Sequence, residues 1–128
     1  GSEMCIRDRA QALLETGRRA GKEIGALITD MGQPLGEAVG HALEVKESLE
    51  GLQGGGPEDL RTLTVELTAA MGALAGRGGM DELRERCRAA LDDGSALRRF
   101  LEMVSAHGGS LDPHEPGSAL EVAPEAAR

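Results

Sequence analysis

The sequence has 128 residues, about one domain's length, with 14 Lys and Arg residues against 22 Asp and Glu residues and a net charge of −8. This acidic balance excludes a nucleic-acid-binding protein or one held on an anionic membrane surface, since both need a basic face. No apolar run approaches the roughly 18 residues of a membrane span, and two cysteines are too few for a disulfide framework, which together favour a cytoplasmic protein.

Residues 1–9 (GSEMCIRDR) differ in character from the rest of the chain. They resemble the translation of a transposon-library sequencing adapter, whose end reads GAGATGTGTATAAGAGACAG and encodes Glu-Met-Cys-Ile-Arg-Asp. An ordinary N-terminal tail is the alternative interpretation. If the adapter interpretation is correct, these residues do not belong to the fold, which then starts at Ala10. A helix is predicted over residues 10–20, with Gly21 closing it.

The stretch from Glu23 to Leu52 organises the rest of the chain. Its apolar run, residues 24–28, is short and lies between a glycine and a Gly/Pro loop, which predicts a buried β-strand over about residues 23–29. After the loop at residues 31–36, apolar residues recur at alternating steps of four and three and predict an α-helix that ends near Leu52. This unit is typical of one βα step in a parallel sheet.

Three more helices are predicted downstream of this unit. Pro57, followed by two acidic residues, marks the start of a helix that continues to Gly76. A helix over about residues 81–92 follows, and Ser95 is predicted to cap a last helix that stops at Gly108. The periodicity ends at Ser110, and the proline-rich residues 110–128 are interpreted as a linker or a frayed tail. The predicted fold class is therefore α/β, with one strand and mainly α-helices, and it leaves no room for a self-contained sheet.

Individual residues suggest little chemistry by themselves. Asp30 directly follows the predicted strand, at the end where open α/β sheets place functional groups, and is therefore a candidate site residue. His41 is interpreted as a helix-start residue, because no arrangement of nucleophile and base can be argued around it. The three glycines at residues 54–56 lack the Lys and Ser/Thr neighbours of a phosphate-binding loop. No catalytic residue and no substrate-binding residue is assigned.

The wording of several segments resembles the thymidine and pyrimidine-nucleoside phosphorylase family. The match begins with ALITDM at residues 26–31, QPLG at 33–36 and VGHALEV at 39–45, with no change in spacing. It continues in GGGPEDL, ALDDGSAL and FLEMV, at residues 54–60, 90–97 and 100–104. The resemblance covers roughly residues 10–109 and implies that the chain is a fragment of a larger α/β phosphorylase domain, with residues 110–128 leading towards a further C-terminal domain.

The resemblance also implies an activity and a cation. Members of this family cleave a pyrimidine nucleoside with inorganic phosphate, to give the base and a pentose 1-phosphate, and they tend to form homodimers. Several bind K⁺, and the matching ligands here are the backbone carbonyls of Leu35 and Ala38 and the carboxylate of Glu47. Oxygen ligands with a single carboxylate suit a hard monovalent cation. A solvated position on the helix surface is the alternative interpretation of Glu47.

The proposed cation site sets a geometric condition. On one straight helix Glu47 would stand roughly 13 Å from Ala38, at about 1.5 Å per residue. The helix is therefore expected to begin near Gly40, with the preceding residues curled back as a loop. The site would be incomplete here, because the Lys-His-Ser-Thr-Gly-Gly type phosphate loop of the family does not occur in this sequence. A chain without that loop is expected to be inactive by itself.

A protein of another class remains an alternative. The amphipathic helices would equally suit a non-catalytic helical interaction module. That interpretation leaves the predicted strand without partners and treats the sequence similarity to phosphorylases as a coincidence.

Overall fold

The structure is a computed structural model that describes residues 3–114, and these residues form five α-helices. In chain order they are α1 (Glu3–Arg19), α2 (His41–Leu52), α3 (Glu58–Leu74), α4 (Met80–Asp92) and α5 (Ser95–Ala106). The four helices predicted after residue 40 are all present. The helix predicted over residues 10–20 is also present, but it begins at Glu3. None of the described helices combines the length and the apolar character needed to cross a membrane.

The prediction of a strand at residues 23–29, and with it the α/β fold class, is wrong for this chain. Within residues 3–114 the structure contains helices but no β-strand, and residues 22–30 follow an irregular path. A strand is stabilised by backbone pairing with a neighbour, and no other described segment offers one. The apolar side chains of this segment are only partly covered. Ile24 is half-buried beside Gly17 of α1, whereas Leu27 and Ile28 are about half exposed.

The core lies between α2, α3 and α4. Its buried apolar residues are Leu49 from α2, Val65 and Ala69 from α3, and Leu83 and Leu91 from α4. Helices α3 and α4 form the most extensive contact, and α5 packs on α4 and α2. Gly72 permits the close approach of α3 to α4, because a Cβ at that position would lie 3.1 Å from a methyl carbon of Leu83.

One bidentate ion pair connects α3 to α4. The Nε and Nη2 atoms of Arg84 donate to the two carboxylate oxygens of Glu66 at 2.8 and 2.9 Å, and Nη1 donates to Asp81 at 2.7 Å. Arg61 of α3 similarly reaches Asp92 near the far end of α4. These pairs show that the two helices run antiparallel. The hydrogen bonds from Arg84 hold the pKa of Glu66 below its ordinary value of 4.5.

We expect this pair to make the stability of the chain depend on acidic pH. Because the pKa of Glu66 is lowered in the folded state, its stabilising effect is present above pH 4.5 and is lost as the pH falls through the folded-state value. Glu66→Gln should therefore lower the melting temperature by a few degrees at pH 7, and this difference should shrink as the pH falls below 4.5. Thermal unfolding followed by circular dichroism across this pH range measures the effect.

The matched control is Glu85→Gln. Glu85 pairs with Arg88 on the exposed surface of α4 alone and connects no second helix. The control variant should follow the wild-type curve at every pH. A wild-type advantage over Glu66→Gln that persists undiminished at pH 3 would contradict the prediction.

The predicted domain boundaries stay predictions. Helix α1 passes through the proposed adapter boundary at residues 9 and 10 without a break. The predicted linker at residues 110–128 falls mostly on residues 115–128, which lie outside the described part of the chain. One of its first residues contacts the end of α2, where the side chain of the C-cap residue Gln53 donates to the carbonyl of Pro113 at 3.0 Å.

Candidate functional site

The segment between Gln33 and Gly40, which we call the 33–40 loop, lies directly before α2. Helix α2 starts at His41, and the loop itself has no regular secondary structure. This arrangement confirms the condition set by the sequence, that the helix must begin near Gly40 for Glu47 to reach the loop. The first turn of α2 is closed by the Glu44 amide, which donates to the Gly40 carbonyl at 2.8 Å.

Glu47 projects from the second turn of α2 onto this loop. Its Oε1 atom accepts hydrogen bonds from the backbone amides of Glu37 at 2.8 Å and Ala38 at 3.0 Å. The residue is half-buried, so the carboxylate is not the fully solvated helix-surface group of the alternative interpretation. A carboxylate that accepts two backbone amides fixes both peptide groups, because each amide must point at the same oxygen.

Gly36 lets the loop pass close to this carboxylate. Its φ angle is +70°, in the left-handed region that favours glycine. A Cβ at this position would collide with Oε2 of Glu47 and would lie 2.9 Å from the carboxylate carbon. The identity of this residue is therefore set both by its backbone conformation and by the space that Glu47 leaves.

Asp59, the second residue of α3, holds the same loop from the other side. Its Oδ2 atom accepts the Gly36 amide at 3.0 Å, and its Oδ1 atom accepts the Leu60 amide at 2.8 Å. The Gly36 hydrogen bond and then the Leu60 hydrogen bond hold the pKa of Asp59 below its ordinary value. Three consecutive loop amides, those of Gly36, Glu37 and Ala38, are thus bound by two carboxylates from two helices. We call this arrangement the carboxylate clamp.

The structure brings the predicted cation ligands into one region. Glu47 binds the loop that contains Leu35 and Ala38, and it does so through backbone amides. Cation coordination by these three residues stays a prediction. Among the described residues, there is no group of three or more His, Cys, Asp and Glu side chains able to hold a metal ion. The donor set available at the loop nevertheless fits a monovalent cation, since it combines one carboxylate with neutral carbonyl oxygens.

Asp30 lies apart from the clamp in a local turn. Its Oδ1 atom accepts the Gly32 amide at 2.8 Å, and the side chain is exposed. Because residues 23–29 form no strand, the position at a strand end that suggested a functional role is not present here. Asp30 as a site residue therefore stays a prediction without that argument. His41 is the first residue of α2, which confirms its interpretation as a helix-start residue, and its side chain is exposed.

A separate cavity of about 270 Å³ opens between α2, α3, α4 and α5. Its walls are mainly apolar and include Leu52, Pro57, Leu60, Leu91 and Phe100. No sequence motif predicts this cavity, because a space between four helices depends on how the helices pack.

Sequence comparison links the chain to named enzymes. It is 41% identical over 115 residues to the pyrimidine-nucleoside phosphorylase of Geobacillus stearothermophilus, covering 89% of this chain and 27% of that protein. It is 46% identical over 108 residues to the thymidine phosphorylase of Rattus norvegicus, covering 84% of this chain and 22% of that protein. It is 43% identical over 122 residues to the thymidine phosphorylase of Mycobacterium tuberculosis strain H37Rv, covering 94% of this chain and 27% of that protein.

These matches confirm the resemblance seen in the sequence. The chain spans about a quarter of the length of these relatives. No protein-family model matches it.

Proposed function

We propose, from the relationship of this chain to a segment of thymidine and pyrimidine-nucleoside phosphorylases, that it is part of an enzyme cleaving pyrimidine nucleosides. The enzyme transfers the pentose from the base to inorganic phosphate and releases the free base and a pentose 1-phosphate. The observation that carries this proposal is 39–46% identity over most of the chain to proteins with these names. A helical interaction module that resembled these enzymes only by chance would not show identity of that extent.

In this enzyme the segment supplies scaffold and part of a cation site. Glu47 would offer a carboxylate oxygen to K⁺, while Leu35 and Ala38 would offer backbone carbonyls. The cation would supply positive charge beside the phosphate-binding part of the enzyme. The chain's own contribution is to hold the 33–40 loop in one conformation through the amides of Glu37 and Ala38. Such supporting contacts orient metal ligands and tune the site that they surround.

Two broader properties belong to the same proposal. The enzyme would be cytoplasmic, since the chain is acidic and carries too few cysteines for a disulfide framework. It would also be a homodimer. Large apolar side chains are exposed along α1 and the segment that follows, including Leu13 and Met31, and they would be covered by other parts of the enzyme or by its second copy.

A domain-graft experiment tests the proposed function. Residues 10–109 would replace the matching segment of the Geobacillus stearothermophilus pyrimidine-nucleoside phosphorylase. We expect the hybrid to release base from uridine or thymidine in the presence of phosphate, and the 128-residue chain alone to release none. Turnover by the isolated chain, or a hybrid that folds like the recipient enzyme but is inactive, would contradict the proposal.

The cation role is tested in the same hybrid with Glu47→Gln. We expect the K⁺ concentration needed for half-maximal activity to rise about 10–100-fold, as for the loss of other groups that orient or bind a metal. Glu44→Gln is the matched control, because Glu44 lies on the same helix and is exposed. An equal change in both variants would show that only general charge, and not coordination, is involved.

A further inference from the structure

The contact between Asp59 and Gly36 gives a role to a residue that the sequence marked only as a helix start. We propose that Asp59 is a positioning residue that sets the direction of the Leu35 carbonyl by holding the peptide group between Leu35 and Gly36. This inference rests on the proposed function, because it concerns a carbonyl assigned to the cation.

Asp59 bridges two parts of the chain. Its two carboxylate oxygens accept amides from different parts of the chain, Leu60 on its own helix and Gly36 in a loop 23 residues earlier. Pro57, the N-cap residue of α3, makes no side-chain cap hydrogen bond. Asp59 therefore satisfies an otherwise open amide at the start of α3, and this contact fixes the carboxylate that holds Gly36.

The planar geometry of the peptide group links the Gly36 amide to the Leu35 carbonyl. The described peptide bonds include no cis form, so the Leu35–Gly36 peptide is trans. In a trans peptide the N–H and the C=O point in nearly opposite directions within one plane. Because the Gly36 N–H points at Asp59, the Leu35 carbonyl must point away from it. The orientation of this carbonyl thus depends on Asp59.

The other carboxylate of the clamp, Glu47, does not hold the Gly36 amide. Glu47 binds the amides of Glu37 and Ala38, which belong to the two following peptide groups. Among the described hydrogen bonds, the one from Gly36 goes to Asp59. Gly36 also has the freest backbone of the three residues, so its peptide would rotate most easily once the contact is removed. Asp59 and Glu47 therefore hold different peptide groups of the loop.

The test uses the 128-residue chain and nuclear magnetic resonance. In wild type we expect the Gly36 amide to be rigid, with an order parameter near 0.85, and in Asp59→Asn and Asp59→Ala to fall below about 0.6. The Leu35 carbonyl carbon shift should move in both variants, while the Ala38 amide stays ordered. Glu58→Gln, one residue away on the same helix, should match wild type. Asp59→Ala with unchanged Gly36 and Leu35 signals would overturn the proposal.

A potassium titration of the hybrid enzyme, which supplies the phosphate loop that this chain lacks, separates this inference from the cation assignment. It is carried out at constant ionic strength, and its wild type is the hybrid without a substitution at Asp59. We expect K⁺ to shift the Leu35 and Ala38 carbonyl carbons in wild type and to do so about 10–100-fold more weakly in Asp59→Asn. A K⁺ response of equal affinity in wild type and Asp59→Asn would overturn the positioning role. If wild type shows no K⁺ response while the Gly36 amide loosens in Asp59→Ala, the cation assignment falls and the positioning of the Leu35 peptide by Asp59 stands.

Discussion

Leu49→Ala is expected to lower the free energy of unfolding by about 2–5 kcal/mol, the usual cost of this truncation in a packed core. Leu49 is 1% exposed and has the largest fully buried side chain among the described residues. It is also the buried residue of α2, so it carries much of the contact between this helix and the rest of the core. Small domains have only about 5–15 kcal/mol of stability. We therefore expect a large drop in the urea midpoint, measured by far-ultraviolet circular dichroism.

Leu43→Ala provides the matched control for this prediction. The same atoms are removed from the same helix, but Leu43 is 57% exposed. Substitutions at exposed positions usually change stability by no more than about 0.5 kcal/mol. If both variants lost the same stability, burial in the core would not explain the effect, because Ala is at least as good a helix former as Leu, and Leu49 would not anchor α2.

The helices after residue 40 could be predicted because their signals are local. The prediction for α3, from Pro57 to Gly76, differs from the observed Glu58–Leu74 only at the ends. Gly76 closes this helix at φ +65°, with the Arg77 amide donating to the Gly72 carbonyl at 2.9 Å. A glycine at this place, after an apolar stripe and before a loop, needs no information from elsewhere in the chain.

The strand prediction failed because strand formation is not a local property. Residues 24–28 have the apolar character of a buried strand, and nothing in the run itself reveals whether a partner exists. In this chain Ile24 packs beside Gly17, and the segment stays irregular. The prediction for α1 was wrong at its start, which it placed at residue 10. Residues 3–9 were excluded from the predicted fold because they resemble a translated adapter sequence. In the structure the helix begins at Glu3 and includes them.

The site was predicted only in part. The approach of Glu47 to the loop was predicted from the resemblance to a family and from the rise per residue of an α-helix. The role of Asp59 was missed, because its hydrogen bond to Gly36 spans 23 residues. A related error concerns Ser95, which was predicted to cap α5. Instead, Asp93 accepts the Ser95 amide at 2.8 Å, and Gly94 occupies the N-cap position. An acidic residue near a helix start can accept a backbone amide as a cap, or it can interact with the helix dipole. The sequence alone does not separate these two roles.

Gly36→Ala is expected to open the carboxylate clamp and to destabilise the chain more than any other glycine substitution at a similar φ angle. Two costs add at this position. A non-glycine residue in the left-handed region costs about 1–2 kcal/mol, and the new Cβ would also collide with the Glu47 carboxylate. Relief of that collision must move either Glu47 or the loop, so the amides of Glu37 and Ala38 should lose their shared acceptor. Amide resonances of these two residues and the melting temperature measure the two effects.

Gly76→Ala separates the backbone cost from the collision. Gly76 has nearly the same φ angle, +65° against +70°, but a Cβ there would meet no atom within 4 Å. It should therefore show the backbone cost alone and leave the amides of Glu37 and Ala38 unchanged. Combining Gly36→Ala with Glu47→Ala removes the group that the Cβ would strike, so the double variant should lose less stability than the sum of the two single changes. Strict additivity would mean that Gly36 and Glu47 act independently, and the clamp would then not explain why glycine occupies this position.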